Sequence, residues 1–334
     1  VLARSWTCVG RLAELGLTQP GRLAVVAVHG ESVLVVTDSA GRLHAHYNVC
    51  RHRGSQLVAH VPEDGEPPGC AVAALRCPYH SWTYGLDGTL LRAPHTDENP
   101  GFALHPVGAA TWGGFLFLHL APELAPDLAD ELGEVPGRLV RYPLTDLVIG
   151  HRHRYDVRAN WKVLAENYNE CYHCGPVHPE LCRLVPAFAS GGAGLDWDAG
   201  IPHREGAWTF TFSGTTTRAP FPGLSDDERQ RHKGELVYPN LLLSLAADHV
   251  AAFVLKPVGT ARTIVDFTLL VAPGEAAPMD AFEFWDVVNR QDWAICESVQ
   301  RGMSSRAYRQ GWFAPMEDDA LDIRRWLLPR LGQE

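Results

Sequence analysis

The sequence has no apolar run long enough to cross a membrane, no internal repeat and no low-complexity tract. A membrane-spanning helix needs about 20 consecutive apolar residues, so we expect no membrane association. Basic charge is scarce as well: the formal net charge is −10 over 334 residues. This balance argues against nucleic acid or an anionic membrane surface as a partner. The opening residues VLARSWTCVG show no basic segment followed by an apolar one, so we expect no secretory signal and a cytoplasmic location.

Two redox motifs are also missing. No G-x-G-x-x-G follows a predicted strand, and no C-x₄-C-x₂-C pattern occurs. The first motif binds dinucleotides and the second binds a plant-type 2Fe–2S centre. If the chain carries out redox chemistry, it therefore cannot take electrons directly from NAD(P)H.

The length allows two domains, each with its own core. Eight cysteines are present. Because the chain is long, and because Cys50 and Cys77 lie close to histidines, we expect metal ligation in a reducing compartment rather than disulfides. We expect a first domain over residues 1–121, a linker rich in proline and acidic residues over 122–137, and a second domain over 138–334.

Secondary structure is predicted from short β-branched runs and one long helical pattern. Strands followed by a helix indicate an α+β domain with an antiparallel sheet. In the first domain, runs at residues 22–28 and 32–38 are predicted strands. In the second domain, strands are predicted at residues 146–157, 208–213, 236–245, 250–256 and 262–271, and a helix at 279–303.

Two short segments combine cysteine with histidine. Cys50 and His52 form C-x-H, and Cys77 and His80 form C-x-x-H. Two thiolates and two imidazoles at these spacings suit a Rieske 2Fe–2S centre, in which the cysteines hold one iron and the histidines the other. The alternative is a structural zinc site, although zinc fingers usually pair cysteine with cysteine and histidine with histidine.

A second candidate metal site lies in residues 160–182. His173 and His178 are five residues apart and cannot share one face of a regular helix. Gly175-Pro176 ends or kinks a helix, which would let both imidazoles converge. Glu170 lies three residues before His173 and shares its face. Two imidazoles and one carboxylate with open positions are the ligand set of non-haem Fe(II).

Asp292 is the candidate third ligand because it lies in an otherwise apolar stripe of the predicted helix. A buried carboxylate is costly unless it is paired or bound to a metal. An ion pair with a nearby arginine would also explain it, and Asp280 and Asp286 are alternative ligands. The stripe consists of Ala281, Trp285, Val288, Asp292, Ile295 and Val299.

These segments resemble the motifs of Rieske non-haem iron oxygenases of the aromatic-ring-hydroxylating, alpha-subunit type. The matching segments are CRHRG, CPYHSWTYGLDG, NWKVLAENYNECYHCGPVH and RQDWAICESVQRGM. The resemblance implies an all-β Rieske 2Fe–2S domain followed by a helix-grip (Bet v1-like) catalytic domain with an antiparallel sheet and long helices, an α+β fold overall. It also implies one Rieske 2Fe–2S cluster and one mononuclear Fe(II), the latter held by His173, His178 and Asp292.

One departure concerns the 24 residues between His52 and Cys77. This interval is longer than the family's usual one, and the extra length falls in VPEDGEPPG at residues 61–69. A segment so rich in proline, glycine and charge favours a surface loop. We expect an enlarged surface hairpin that leaves the cluster unaffected.

The resemblance also implies a homotrimer in which the Rieske cluster of one subunit faces the mononuclear iron of its neighbour. A carboxylate at the position of Glu170 bridges the two centres through hydrogen bonds to one ligand on each side. Ring-hydroxylating dioxygenases typically have Asp there. Glu within ECYHC resembles the subgroup that acts on quaternary ammonium compounds, namely the oxygenases for glycine betaine, stachydrine and carnitine.

The implied activity is that of a Rieske-type non-haem iron monooxygenase. It would use O₂ and electrons from a separate NAD(P)H-dependent reductase, which carries flavin and a 2Fe–2S centre. The N-methyl (or adjacent) carbon of a small quaternary ammonium substrate would be hydroxylated, and N-demethylation would release formaldehyde. A choline- or carnitine-type monooxygenase and a ring-hydroxylating dioxygenase for an aromatic acid are the alternatives.

A fixed cation in the substrate predicts an aromatic cage. Trp208, Phe210 and Phe212 alternate along a predicted strand and would share one sheet face. Tyr168 is a further candidate, although any of these aromatics could equally be core. The remaining candidates are Tyr238 and Phe253 for the cage, and Arg204, Arg218, His203 and Lys256 for a substrate carboxylate.

Two other classes of protein compete with the oxygenase. A Rieske electron carrier is short, and about 200 residues beyond the cluster would then have no role. A zinc-stabilised binding module would lack the visible spectrum of an iron–sulfur centre.

Overall fold

A computed structural model describes residues 1–59 and 70–332. The chain divides into two compact units, Leu2–Glu131 and Leu132–Glu334. The hairpin predicted at residues 61–69 lies outside the described residues. The segment predicted as a linker contains a 3₁₀ turn and two short helices, α1 (Leu128–Leu132) and α2 (Val135–Arg138). No helix in the described ranges is long and apolar enough to span a membrane.

The described part of the first unit is built mainly of β-strands. Its strands are β1 (Thr7–Arg11), β2 (Arg22–Val28), β3 (Glu31–Thr37), β4 (Leu43–Tyr47), β5 (Cys70–Ala71), β6 (Leu75–Arg76), β7 (Thr83–Tyr84), β8 (Leu90–Arg92), β9 (Pro106–Trp112) and β10 (Phe115–His119). One antiparallel sheet has the order β1-β10-β9-β4-β3-β2-β5, and β6-β7-β8 form a smaller one. The strands predicted at residues 22–28 and 32–38 are confirmed, the second one residue earlier.

Strand β3 shows why this unit has a continuous apolar run in its sequence. Val33 and Val35 pack into one core with β1, β9 and β10. Leu34 and Val36 point the other way and pack into a second core that includes Cys50, Cys77 and residues of the small sheet. Alternate side chains of a strand face opposite sides. Both sides of β3 are covered, so no polar alternation is needed.

The second unit places helices against an antiparallel sheet. Its strands are β11 (Val148–Val157), β12 (Ile201–Pro202), β13 (Arg231–Val237), β14 (Leu241–Leu245), β15 (His249–Gly259) and β16 (Arg262–Val271), in the order β11-β16-β15-β14-β13-β12. Its longer helices are α3 (Trp161–Tyr168), α4 (Cys174–Val177), α5 (Pro179–Leu184), α6 (Met279–Met303) and α7 (Asp322–Leu331). Short 3₁₀ segments occur in both units: Leu2–Arg4 and Pro122–Leu124 in the first, and Pro186–Ser190, Glu228–Gln230 and Pro315–Leu321 in the second. The predicted α+β architecture is confirmed.

Helix α6 has the predicted bounds, but its apolar stripe is only partly buried. Ala281, Trp285 and Val288 are buried as expected. Ile295 and Val299 are 37% and 43% exposed, so this part of the predicted stripe is wrong. The buried face continues instead through Cys296, which lies four residues after Asp292. The Cys296 thiol lies 4.0 Å from the Val163 carbonyl oxygen of α3. A spacing of three or four residues fits a helical face equally well, and the position of α3 selects four.

Two predicted strands differ in the structure. Residues 208–213 form bends rather than a strand. Thr211 accepts from the Gly214 N–H and donates to the Thr215 carbonyl, and such local side-chain bonds compete with a sheet ladder. The strand predicted at residues 236–245 is interrupted by a turn between β13 and β14. Strands near 146–157, 250–256 and 262–271 are confirmed.

A buried charge network holds α6 to the sheet. Asp248 accepts from Arg218 Nε at 2.9 Å and from His249 Nδ1 at 3.0 Å, and also from the Thr209 hydroxyl. The other ring nitrogen of His249 accepts from the indole N–H of Trp285 at 3.0 Å. Burial raises the pKa of Asp248, but His249, Thr209 and Arg218 outweigh this and lower it to about 2. The carboxylate is therefore charged at neutral pH.

Replacing Asp248 by Asn should destabilise the protein by about 3–5 kcal/mol, because it removes the buried charge that the donors of His249, Thr209 and Arg218 surround and leaves Arg218 with only the partly exposed Asp280. The matched control is Asp156→Asn, which breaks an exposed ion pair with Arg262 and should cost at most about 1 kcal/mol. Denaturant unfolding at pH 7 measures both. Equal losses in the two variants would contradict the role given to the buried network.

The same network predicts how stability depends on pH. Because the folded pKa of Asp248 lies below its unfolded value of about 3.9, its contribution is complete above that value. It is lost as the pH falls towards 2. Wild-type protein should lose more stability than Asp248→Asn between pH 4 and pH 2.

Candidate metal centres

The two Cys/His loops of the first unit share one backbone design. In each loop the cysteine carbonyl accepts from the N–H four residues later, at 3.0 Å: Gly54 for Cys50 and Ser81 for Cys77. Gly54 and Ser81 both have left-handed backbone, with φ of 74° and 61°. The turn reverses the chain, so that the cysteine N–H bonds the carbonyl five residues later at 2.8 Å in both loops. Each loop therefore presents its cysteine and histidine from one tight turn.

The four side chains form a thiol pair and an imidazole pair. The Cys50 thiol lies beside Cys77 and helps to lower its pKa, and the rings of His52 and His80 lie 4.7 Å apart between centroids. Among the described residues, however, no three of these ligand atoms lie within 4.8 Å of one another. A single tetrahedral zinc would gather all four ligands at one point. Two pairs of ligands suit a two-iron cluster instead.

Hydrogen bonds favour the thiolate form of Cys77. Burial raises the pKa of Cys77, but the N–H groups of Tyr79 and His80 outweigh it and lower the pKa. The buried hydroxyl of Tyr84 lies 3.3 Å from the Cys50 sulfur and also accepts from the Arg51 N–H at 3.1 Å. Tyr84 can therefore donate to Cys50. Donors to cluster sulfurs raise the reduction potential.

The second site begins where α3 ends. The chain leaves α3 after Tyr168, and His173 stands directly before α4. His178 separates α4 from α5, with φ −120° and ψ 68°. The break predicted at Gly175-Pro176 therefore occurs at His178, and both of those residues lie within α4. A Cβ on Gly175 would come within 2.8 Å of the Ala189 carbonyl oxygen, so glycine permits this close approach.

The structure brings His173, His178 and Asp292 together. The Oδ1 atom of Asp292 lies 3.2 Å from His173 Nε2 and 2.9 Å from His178 Nε2. Among the described residues this is the one group of three or more such side chains whose ligand atoms all lie within 4.8 Å. Neighbouring ligands bound to one metal at about 2.0–2.2 Å are about 3 Å apart. The three side chains thus fit a mononuclear metal.

Each imidazole is held through its other nitrogen. His173 Nδ1 donates to Glu170 Oε1 at 2.5 Å, and the His173 backbone N–H donates to Glu170 Oε2 at 3.1 Å. His178 Nδ1 donates to Gln291 Oε1 at 2.8 Å. These bonds direct the Nε2 atoms towards Asp292, as expected for metal-binding histidines.

The charges at this site favour an ionised carboxylate. Burial lowers the pKa of His173, but hydrogen bonds to Asp292 and Glu170 outweigh it and raise the pKa to about 10. Burial raises the pKa of Asp292, whereas hydrogen bonds from His173 and His178 lower it below its usual value.

The alternative third ligands lie elsewhere. Asp280 is paired with Arg218. Asp286 pairs with Arg290 and accepts from the Tyr155 hydroxyl at 2.9 Å. Asp292 is therefore the carboxylate that meets the histidines.

The candidate substrate residues are not brought together as predicted. Because residues 208–213 are not a strand, Trp208, Phe210 and Phe212 do not share a sheet face. Phe210 is 1% exposed and packs on Trp285, whereas Phe212 is 55% exposed. Tyr168 donates to the Leu243 carbonyl at 2.7 Å. A role of these four residues in substrate binding stays a prediction.

The four residues considered for binding a substrate carboxylate already have partners within the protein. Arg218 pairs with Asp248 and Asp280, and Lys256 pairs with Asp266. The remaining two contact carbonyl oxygens: Arg204 those of Glu205 and Ser213, and His203 that of Gln230.

Three residues near the histidines were not predicted from the sequence. The Asn167 side-chain nitrogen lies 3.2 Å from His173 Nε2. Gln291 contacts His178, and its amide nitrogen donates to Glu180 Oε2 at 3.1 Å. Gln291 directly precedes Asp292 and Glu180 lies two residues after His178, so nearness to ligands was the available signal. A partner 113 residues away leaves no local pattern.

The chain matches known proteins over both units. Residues 144–333 match the ring hydroxylating alpha subunit (catalytic domain), and residues 5–108 match the Rieske 2Fe–2S domain. The chain is 30% identical over 382 residues to the glycine betaine monooxygenase oxygenase subunit of Pseudomonas aeruginosa, covering 100% of this chain and 86% of that protein. It is 29% identical over 323 residues to the carnitine monooxygenase oxygenase subunit of Acinetobacter pittii, covering 92% and 81%.

The fold is shared with a crystal structure of the quaternary ammonium Rieske monooxygenase CntA bound to an inhibitor. The TM-score is 0.75 at 24% identity, and the alignment covers 98% of this chain and 88% of that one. The chain therefore belongs to the family of ring-hydroxylating oxygenase alpha subunits. It is an oxidoreductase with a Rieske 2Fe–2S cluster and a mononuclear iron, as predicted from the sequence.

Replacing Tyr84 by Phe should lower the reduction potential of the Rieske cluster. One hydrogen bond contributes about 1 kcal/mol net, and about 1.4 kcal/mol corresponds to about 59 mV for one electron, so the expected shift is about 40 mV. A redox titration followed by visible absorption measures it. The control is Tyr47→Phe, which removes a hydrogen bond to the Leu120 carbonyl and should leave the potential unchanged. An unchanged potential in Tyr84→Phe would contradict donation to Cys50.

Proposed function

We propose that this chain is the oxygenase subunit of a Rieske monooxygenase that acts on a small quaternary ammonium compound, such as glycine betaine or stachydrine. The observation that carries the substrate class is similarity along the whole chain to the glycine betaine monooxygenase oxygenase subunit. The carnitine monooxygenase oxygenase subunit supports the same class. Hydroxylation of an N-methyl carbon leads to loss of that methyl group, whereas hydroxylation of the adjacent carbon breaks the bond between that carbon and the nitrogen.

In this proposal Cys50, His52, Cys77 and His80 hold the Rieske cluster, and His173, His178 and Asp292 hold the mononuclear iron. When bound, these groups supply single electrons and activate O₂ beside the substrate. The protein fixes the geometry. Glu170 accepts a hydrogen bond from the Nδ1–H of His173 and so keeps Nε2 as the nitrogen that would bind the metal.

The product follows from the chemistry of the substrate. Hydroxylation of an N-methyl carbon consumes O₂, two electrons and two protons and releases water. The resulting carbinol loses its C–N bond: the nitrogen keeps the bonding electrons and takes the hydroxyl proton, and formaldehyde leaves. A quaternary ammonium ion therefore yields a tertiary amine and one formaldehyde.

Glu170 is proposed as the catalytic carboxylate that connects His173 to the source of electrons. Its two oxygens hold the ring and the backbone of the same histidine. The side chain is 12% exposed, so it is not fully enclosed. A homotrimer, in which a neighbouring subunit's cluster approaches this carboxylate, belongs to the proposal.

The proposal includes a separate NAD(P)H-dependent reductase with flavin and a 2Fe–2S centre, because the sequence contains no dinucleotide or ferredoxin motif. We also propose a cytoplasmic location, since the cluster thiols must stay reduced until they are loaded.

A choline-type monooxygenase is the second candidate. Arg218 and Lys256 are committed to ion pairs, and Arg204 binds carbonyls. A substrate without a carboxylate needs none of these cations. Choline-type oxidation changes the hydroxyl-bearing carbon and releases no formaldehyde.

The test is a panel of quaternary amines incubated with the purified protein, a suitable reductase, NADH and O₂. Glycine betaine, stachydrine, carnitine, choline and an aromatic acid form the panel. We expect one betaine to yield formaldehyde in a ratio of about one to the NADH consumed, because the hydroxylation uses two electrons. A hydroxylated aromatic product without formaldehyde would overturn the substrate class.

The control for this experiment is Asp292→Ala. Without the third ligand the protein should lose its mononuclear iron and all formaldehyde release, while the Rieske spectrum stays. The first unit contains all four proposed cluster ligands and is untouched by the change. Full activity in this variant would contradict the ligand assignment.

A further inference from the structure

The two histidines of the mononuclear site are held in chemically different ways. His173 donates directly to a carboxylate, Glu170. His178 donates to a neutral amide, that of Gln291, and the carboxylate of Glu180 stands one step further away. The contacts run in one line: His178 Nδ1 to Gln291 Oε1 at 2.8 Å, and Gln291 Nε2 to Glu180 Oε2 at 3.1 Å.

Glu180 determines which way the Gln291 amide points. A carboxylate accepts hydrogen bonds and donates none, so it takes the amide NH₂ group. The amide oxygen must then face the other direction, towards His178. Without Glu180, the two ends of the amide are nearly equal in shape and could exchange.

The orientation of the amide in turn determines the tautomer of His178. An amide oxygen only accepts, so the proton of the neutral imidazole must lie on Nδ1. Nε2, which hydrogen-bonds Asp292 Oδ1 at 2.9 Å in the metal-free structure, can then give up its proton and offer its lone pair to the metal. If the amide were reversed, its NH₂ group would favour a neutral ring whose single proton lies on Nε2. That proton would compete with the metal for the same nitrogen.

We infer that Glu180 is a positioning residue for the mononuclear iron, acting through Gln291 to keep His178 in its metal-binding tautomer. The inference rests on the proposed role of His178 as a ligand. Glu180 lies on α5 and Gln291 on α6. The same chain of contacts therefore ties the segment that carries the histidines to the helix that carries Asp292.

The test measures how tightly the protein retains Fe(II), not turnover. Enzyme loaded with both metals is mixed anaerobically with excess ferrous chelator, and the release of mononuclear iron is timed while the visible spectrum monitors the Rieske cluster. Partners of metal-binding histidines typically affect affinity by about 10–100-fold. We expect Glu180→Ala to release iron about 10–100-fold faster than wild type.

Three variants make the result specific. Glu180→Gln supplies an amide that can accept from the Gln291 NH₂ group but can also donate to the Gln291 oxygen, so it should release iron faster than wild type and more slowly than Glu180→Ala. Glu283→Ala removes an exposed carboxylate from α6 and should leave release unchanged. Gln291→Leu combined with Glu180→Ala should be no worse than Gln291→Leu alone, because Glu180 acts through Gln291.

Nitrogen chemical shifts of histidine in iron-free, cluster-loaded protein give a second measurement. Wild type should show a proton on Nδ1 of His178, held by the Gln291 oxygen, and Glu180→Ala should show a mixture of ring forms with and without that proton. Iron release and tautomer both unchanged in Glu180→Ala would overturn the inference. So would equal losses in Glu180→Gln and Glu180→Ala.

His178→Ala separates this inference from the proposed function. Retention of iron in His178→Ala would contradict the ligand assignment itself. Loss of iron in His178→Ala together with wild-type behaviour of Glu180→Ala would contradict only the role of Glu180.

Discussion

The structure depends on one carboxylate placed where water cannot fully solvate it. Asp292 lies midway along α6, and its Oδ1 atom lies 3.2 Å from His173 Nε2 and 2.9 Å from His178 Nε2. Such a group is costly unless opposite charge or a metal offsets it. The histidines come from a segment more than 100 residues earlier, so helix and segment must meet. The sheet, α3 and the buried network around Asp248 provide the frame on which they do.

Local spacing made part of this account predictable. The Cys50 and Cys77 loops are short, and each brings its own cysteine and histidine together within one turn. His173 and His178 are neighbours in sequence. Asp292 was a candidate because an acid in an apolar stripe needs a partner, which follows from helical periodicity. The resemblance of its helix to the family's motif favoured it over an ion pair and over Asp280 and Asp286.

The features that were predicted wrongly or missed depend instead on contacts between residues far apart in the sequence. Whether the apolar face of α6 continues through Ile295 or Cys296 is decided by α3. Residues 208–213 alternate like a strand, yet threonine side chains bond the local backbone and Asp248. Glu180 and Gln291 meet across 111 residues, and apart from their nearness to His178 and Asp292 no local pattern indicates the contact.

The two histidines of the metal site are held by different partners, Glu170 for His173 and Gln291 for His178, and we assign these two sets of contacts, called arms here, different roles. The arm through Glu170 carries full charge next to the ring and is the proposed contact with the source of electrons. The arm through Gln291 is neutral next to the ring and has Glu180 only at its far end. A charge close to a ligand strengthens its donation to the metal, whereas an amide fixes its orientation with less change in basicity.

The central claim is that the carboxylate of Glu170 couples His173 to electron delivery. The most direct measurement is a single turnover of Glu170→Gln, with the Rieske cluster reduced beforehand and both metals bound, following cluster oxidation and product in the same sample. A hydrogen bond to a charged group is worth about 1.5–3 kcal/mol, so cluster oxidation should slow by about 10–100-fold and product yield should fall. Wild-type oxidation rate and yield in this variant would contradict the account.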